Sequence, residues 1–122
     1  MSGFNELELA ALSAIFDETP EFASGLNGQL ARSVVVKRDN SGAGFFTHIE
    51  CPDDVPSLNC TRVLGTQTYA RLKNLTYGLG FVLFMRDGKL HVLEGFTCGN
   101  ETTSAIDFDR LCFEIRPTPF DQ

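Results

Sequence analysis

The sequence predicts an α+β fold: two N-terminal helices packed on a curved, mostly antiparallel sheet of about five or six strands. Three observations predict it. Apolar residues recur at three- and four-residue steps through the first part of the chain, they alternate with polar residues in much of the remainder, and an Asp-Gly pair joins two apolar runs in the alternating part. With 122 residues the chain can bury one hydrophobic core but not two, so residues 1–122 are expected to form a single domain.

Over Phe4 to Phe16, the residues Phe4, Leu7, Ala11, Leu12, Ile15 and Phe16 fall on one stripe of a helix. Glu6 and Glu8 near its start suit the positive end of the helix dipole. Thr19-Pro20-Glu21 then reads as an N-cap, a proline in the first helical position and an early acid. Phe22, Leu26 and Leu30 continue an apolar face. Gly25 and Gly28 each cost about 1 kcal/mol relative to alanine inside a helix, so this second helix is expected to be short, bent or tightly packed.

Strands follow. Val34, Val35 and Val36 lie within Ser33 to Asp39; from Gly44 to Cys51, Phe45, Thr47 and Ile49 alternate with Phe46, His48 and Glu50. Asn40-Ser41-Gly42 between them is turn chemistry, which predicts a hairpin. Pro52, Asp53-Asp54 and Pro56 forbid regular pairing and predict a loop as far as Arg62. Tyr69 to Leu75 reads as a strand with Ala70 and Leu72 on one side. Leu111, Phe113 and Ile115 alternate with Cys112, Glu114 and Arg116, as in a strand with one wet face.

The strongest local signal runs from Gly80 to Phe96 around Asp87-Gly88, the pair a two-residue type I′ hairpin turn favours. A tight turn without a bulge pairs Met85 with Leu90, Leu83 with Val92, Phe81 with Glu94 and Leu79 with Phe96. One face is then apolar except for Glu94. The other carries Arg86 with Lys89, Phe84 with His91 and Val82 with Leu93, a mixed surface.

Composition narrows the function classes. Lys and Arg number 10 against 16 Asp and Glu, a formal charge of −6, and the basic residues form no block. That argues against a nucleic-acid binder and leaves basic partners open. No apolar run reaches the roughly 20 residues of a membrane span, and the start has no signal-peptide pattern, so a soluble cytoplasmic protein is expected. Cys51, Cys60, Cys98 and Cys112 match neither a zinc nor a redox spacing and read as reduced, semi-buried hydrophobes.

Glu94 is the most informative polar residue, because an acid on an apolar face must find a partner, take a proton or sit at the sheet's rim. Two readings are open. In one it is a general base or ligand anchor in a cleft between sheet and helices; in the other it is a structural acceptor for backbone amides or for Arg32, Arg62 or Arg71. His48 and Glu50 share a strand face, and His91 and Cys51 join them if the two hairpins are neighbours; exposed strand faces carry such residues without function, and no metal site is predicted. No GxSxG elbow occurs, and Gly42-Ala43-Gly44 and Gly78-Leu79-Gly80 read as strand entrances rather than phosphate loops. Phe45, Phe46, Phe81, Phe84, Phe96, Phe108 and Phe113 read as core; any of them left exposed would mark a partner surface.

Ser41-Gly42-Ala43-Gly44-Phe45-Phe46-Thr47, Gly80-Phe81-Val82-Leu83-Phe84, Asp87-Gly88-Lys89-Leu90 and Leu93-Glu94-Gly95-Phe96 together resemble an uncharacterised family of small bacterial proteins with GxGFFT and GFxLFxxDGxLxxLEGF motifs. The resemblance implies a bacterial, cytoplasmic, single-domain protein. It supplies no activity and no catalytic residues.

Two functions are therefore expected as alternatives. The first is a non-enzymatic protein-binding module, either self-associating or neutralising a basic partner, without a cofactor. The second is a small-molecule or catalytic pocket between helices and sheet, with Glu94 as acid or base and Tyr69, Tyr77 or His91 orienting the ligand.

Overall fold

A computed structural model describes residues 3–117. Helix α1, Glu6–Asp17, opens on a capping box: the Asn5 side chain accepts from the Glu8 N–H at 2.8 Å, and Glu8 Oε1 accepts from the Asn5 N–H at 2.8 Å. Its buried face is Leu7, Ala11, Leu12, Ile15 and Phe16, as the periodicity predicts, together with Glu8. Pro20 begins a 3₁₀ turn, Pro20–Phe22, and Thr19 makes no side-chain cap; helix α2 follows as Ala23–Arg32. The close packing expected at its glycines is found at Gly25, where a Cβ would lie 2.6 Å from a Leu58 methyl.

The strands are β1 Val34–Asn40, β2 Gly44–Glu50, β3 Val63–Leu64, β4 Tyr69–Leu72, β5 Leu75–Arg86, β6 Lys89–Thr97 and β7 Phe113–Arg116. They form a seven-stranded sheet in the order β1-β2-β6-β5-β4-β7, with β3 beside β5, and every pairing among the described residues is antiparallel. The six strands read from alternation are all present, and the two-residue β3 is the addition. Boundaries differ in the middle. The strand beginning at Tyr69 stops at Leu72, Leu75 already pairs back to it, and Gly78-Leu79-Gly80 lies inside β5 rather than at an entrance.

One layer of helix covers one face of this sheet. Leu7, Leu12, Ile15, Phe16 and Leu26 form a single cluster with Phe45, Leu79, Phe81, Leu83 and Leu93. The ring of Phe108 lies 4.8 Å from that of Phe45 and closes the cluster at one end. No helix among the described residues is long and apolar enough to cross a membrane.

Asp87 and Gly88 have φ of 53° and 75°, the conformation expected of a type I′ turn. The turn is held from outside. The buried Gln29 side chain donates to the carbonyls of Pro56 and Gly88 at 2.9 Å each and accepts from the Leu90 N–H at 3.1 Å. Leu58 N–H also donates to the Gly88 carbonyl at 2.9 Å. A buried backbone group without a partner is costly, so this one side chain joins helix, loop and hairpin.

The register of that hairpin differs from the bulge-free expectation. Arg86 pairs with Lys89 and Met85 with Leu90, but Phe84 then pairs with Val92, Leu83 with Leu93, Val82 with Glu94 and Phe81 with Gly95. His91 is the extra residue of a β-bulge. The cause is energetic. Without the bulge Glu94 would enter the core beside Phe81, a penalty of several kcal/mol for an unpaired carboxylate. With it, Leu90 and Leu93 are both buried, and Glu94 turns to the side away from the helices. The predicted cleft between sheet and helices therefore does not contain Glu94.

Candidate functional site

The register places three rows of side chains on the sheet face that the helices leave open. Across five strands, Lys37, His48, Val92, Phe84 and Val63 are successive partners. In the next row Glu94 lies between Phe46 and Val82. Beyond it Phe96 lies between Gly44 and Gly80, with Tyr69 paired to Gly80. Rows are two residues apart, about 7 Å along a strand.

Phe46, Phe84 and Phe96 are thus not core residues as expected. They are half-buried on the outer face, the position at which an aromatic residue marks a surface for contact. Phe96 is fixed by its neighbour: a Cβ on Gly80 would lie 2.4 Å from the Phe96 ring. On the inner side the Phe45 ring similarly occupies the space where Gly95 has no side chain, with 2.4 Å to a Cβ built there. The glycine-aromatic motifs are cross-strand ring-over-glycine pairs.

Toward the Asp87-Gly88 end the outer face sinks into a concavity of about 870 Å³. Phe46, Val63, Phe84 and Val92 contribute its apolar lining, and Arg62, Arg86, His48 and His91 its polar groups. No carboxylate lines it, although the chain has 16 acids against 10 basic residues. Arg62 and Arg86 are exposed. At the edge of the concavity Asp39 Oδ2 lies 3.3 Å from His48 Nε2 and 3.8 Å from Lys37 Nζ.

Pairing of β2 with β6 makes the two hairpins neighbours, so His48 and His91 line the same concavity. Glu50 pairs with Val34 at the far end of β2 and is exposed. No group of three or more His, Cys, Asp or Glu among the described residues is arranged to hold a metal ion. Tyr69 lies on the outer face beside Gly80, whereas the Tyr77 ring packs at Gly99 in the loop after β6 and does not join Glu94.

Glu94 accepts no hydrogen bond among the described residues, and burial beside Phe46 and Val82 pushes its carboxyl above the usual glutamate range. The expected arginine acceptor role is not found: Arg32 pairs with Asp54 at 3.2 Å, and neither Arg62 nor Arg71 bonds Glu94. A carboxyl whose folded pKa is raised leaves the folded state holding more protons than the unfolded chain. Stability therefore falls as pH rises through that window. Glu94→Gln is expected to stay folded and, at neutral pH, to be more stable than the parent by less than about 1 kcal/mol, since the group is only partly desolvated. The gain should vanish in acid, and thermal melts across pH 4 to 7 measure it; a neutral-pH loss above that size would assign Glu94 a partner.

The sequence reading missed Arg62, Arg86, Val63 and Val92 as site residues. The outer-face mixture of Arg86, Phe84 and His91 was the available signal, but Arg62 stands in a proline-broken stretch whose position no periodicity sets. No family model, curated protein or solved structure matches the chain.

Proposed function

We propose that this chain is a non-enzymatic binding module that docks a partner protein on the outer face of its sheet. The observation that carries the reading is the open face itself: half-buried Phe46, Phe84, Val92 and Phe96, with exposed Val63, remain on the side that neither helix covers. Half-covered aromatics flanked by arginines are the composition that protein interfaces select. Such a surface loses its remaining water only when a second molecule covers it.

A photo-cross-linking amino acid placed at Val63, 46% exposed on this face, or at Leu9, 41% exposed on α1, tests the assignment in the native cell. Discrete protein adducts are expected from position 63 and not from position 9. Phe84→Ser should reduce the position-63 adducts by about fivefold or more, as loss of a central apolar anchor does. Adducts of equal yield from both positions, or none from position 63, would remove the proposal.

A further inference from the structure

We infer that the segment of the partner that enters the concavity is a short acidic stretch bearing one bulky apolar side chain. This rests on the outer-face reading and adds the chemistry of the occupant. A protein of formal charge −6 repels acidic chains over most of its surface. Here the lining contributes two arginines and two histidines and no carboxylate. Both arginines are exposed, and neither is held in an ion pair with a described residue. Guanidinium groups free at a rim are matched to carboxylates, which they bind through paired hydrogen bonds.

Geometry sets the length of the segment. From Val63 on β3, across β5 and β6, to His48 on β2 is three inter-strand steps, roughly 14 Å at about 4.8 Å per step. An extended chain crosses that distance in about four residues. The apolar side chain then sits over Phe84 and Val92. Carboxylates on one flank reach Arg62 and Arg86, and the other flank lies at His91 and at His48, whose imidazole already faces Asp39 at 3.3 Å. Glu94, one row away and without a partner among the described residues, bounds the site and disfavours a further acid there.

The same arrangement argues against the basic partner that net charge alone leaves open. Overall charge governs the long-range field, but the groups in contact decide which segment docks. The lining of the concavity holds two arginines and no carboxylate, so its local balance is positive although the molecule is acidic.

Titration of the isotopically labelled full chain with three capped pentapeptides tests the inference by amide chemical-shift mapping. Each probe has a central residue with two identical residues on either side: phenylalanine flanked by glutamates, phenylalanine flanked by lysines, and alanine flanked by glutamates. The glutamate-phenylalanine peptide is expected to move the amides of Val63, Phe84, His91 and Val92, with affinity about tenfold above either other peptide and weakened by salt. Arg62→Glu combined with Arg86→Glu, both exposed positions, should reverse the preference between glutamate and lysine flanks. Equal or tighter binding of the lysine peptide at these amides overturns the acidic occupant while leaving the docking face in place. Shifts confined to other surfaces, or none with any peptide, also overturn it, and the adducts at position 63 then decide separately whether the face docks a protein.

Discussion

Glu8→Ala is expected to lower the unfolding free energy by about 3 kcal/mol, the lower part of the range for breaking a buried charge pair. The carboxylate is 1% exposed and serves several donors at once. Its Oε2 accepts from Arg38 Nε at 2.8 Å and from Thr47 Oγ1 at 2.5 Å; its Oε1 accepts from Arg38 Nη2 at 2.7 Å and from the Asn5 N–H at 2.8 Å. The substitution therefore removes the Glu8 side-chain half of the capping box while the Asn5 cap stays, strands the fully buried Thr47 hydroxyl and leaves a guanidinium against the core. Arg38 is 38% exposed in its side chain and regains some hydration, which keeps the loss from reaching the upper part of that range. Glu8→Gln keeps a capping acceptor and should cost less. Chemical denaturation of the two variants checks the order; a loss below about 1 kcal/mol for alanine would mean the network contributes little.

Gly44→Ala is expected to cost more than about 3 kcal/mol and to detach the β1–β2 hairpin from β6. Gly44 begins β2 with φ of 138°, and a Cβ there would lie 1.9 Å from the Gly95 carbonyl oxygen, a backbone atom that cannot rotate away. The affected pairing is the one that brings Phe46 and His48 beside Glu94 and Val92. Gly42 is the control. It also has a positive φ, 86°, but its Cβ would meet nothing closer than the Ser104 hydroxyl at 3.5 Å. Gly42→Ala should therefore cost only the left-handed backbone penalty, about 1–2 kcal/mol. Thermal melts and amide exchange in β2 separate the two cases; equal losses would show that close approach to Gly95 is not what requires glycine at position 44.

The contrast between Glu8 and Glu94 shows what a single sequence conveys about this fold. Both acids stand beside apolar residues in their own elements. The periodicity places Glu8 next to the buried stripe, yet its partner Arg38 is thirty residues away on β1, and no local pattern encodes that meeting. Glu94 was expected to be an acid among apolar residues, and it is one, but on the opposite face. Alternation failed there because β5 and β6 are apolar on both sides: Leu90, Val92 and Phe96 make as good a stripe as Leu93 with Gly95. The core position of Gly95 is carried by the Phe45 ring of a different strand, so hydropathy cannot register it.

The turns and the number of strands are more readily deduced because their causes are local. Asp87-Gly88 supplies the backbone angles its turn requires, and Pro52 with Pro56 interrupts pairing wherever it falls. The open face is harder to read because its half-buried side chains are of the same types as those of the packed core. Phe84 and Phe81 differ in which side of the sheet they occupy, not in type.

The extra residue at His91 has an evolutionary consequence. It makes the exposed chemistry of β6 a matter of phase as well as composition. Re-pairing of the same residues without the bulge would turn Val92, Glu94 and Phe96 inward and expel Leu93 and Gly95, exchanging the strand's two surfaces in one event, whereas deletion of His91 itself would leave Val92 opposite Phe84. Point substitutions can retune this open face gradually, whereas a slip of register by one position would replace it.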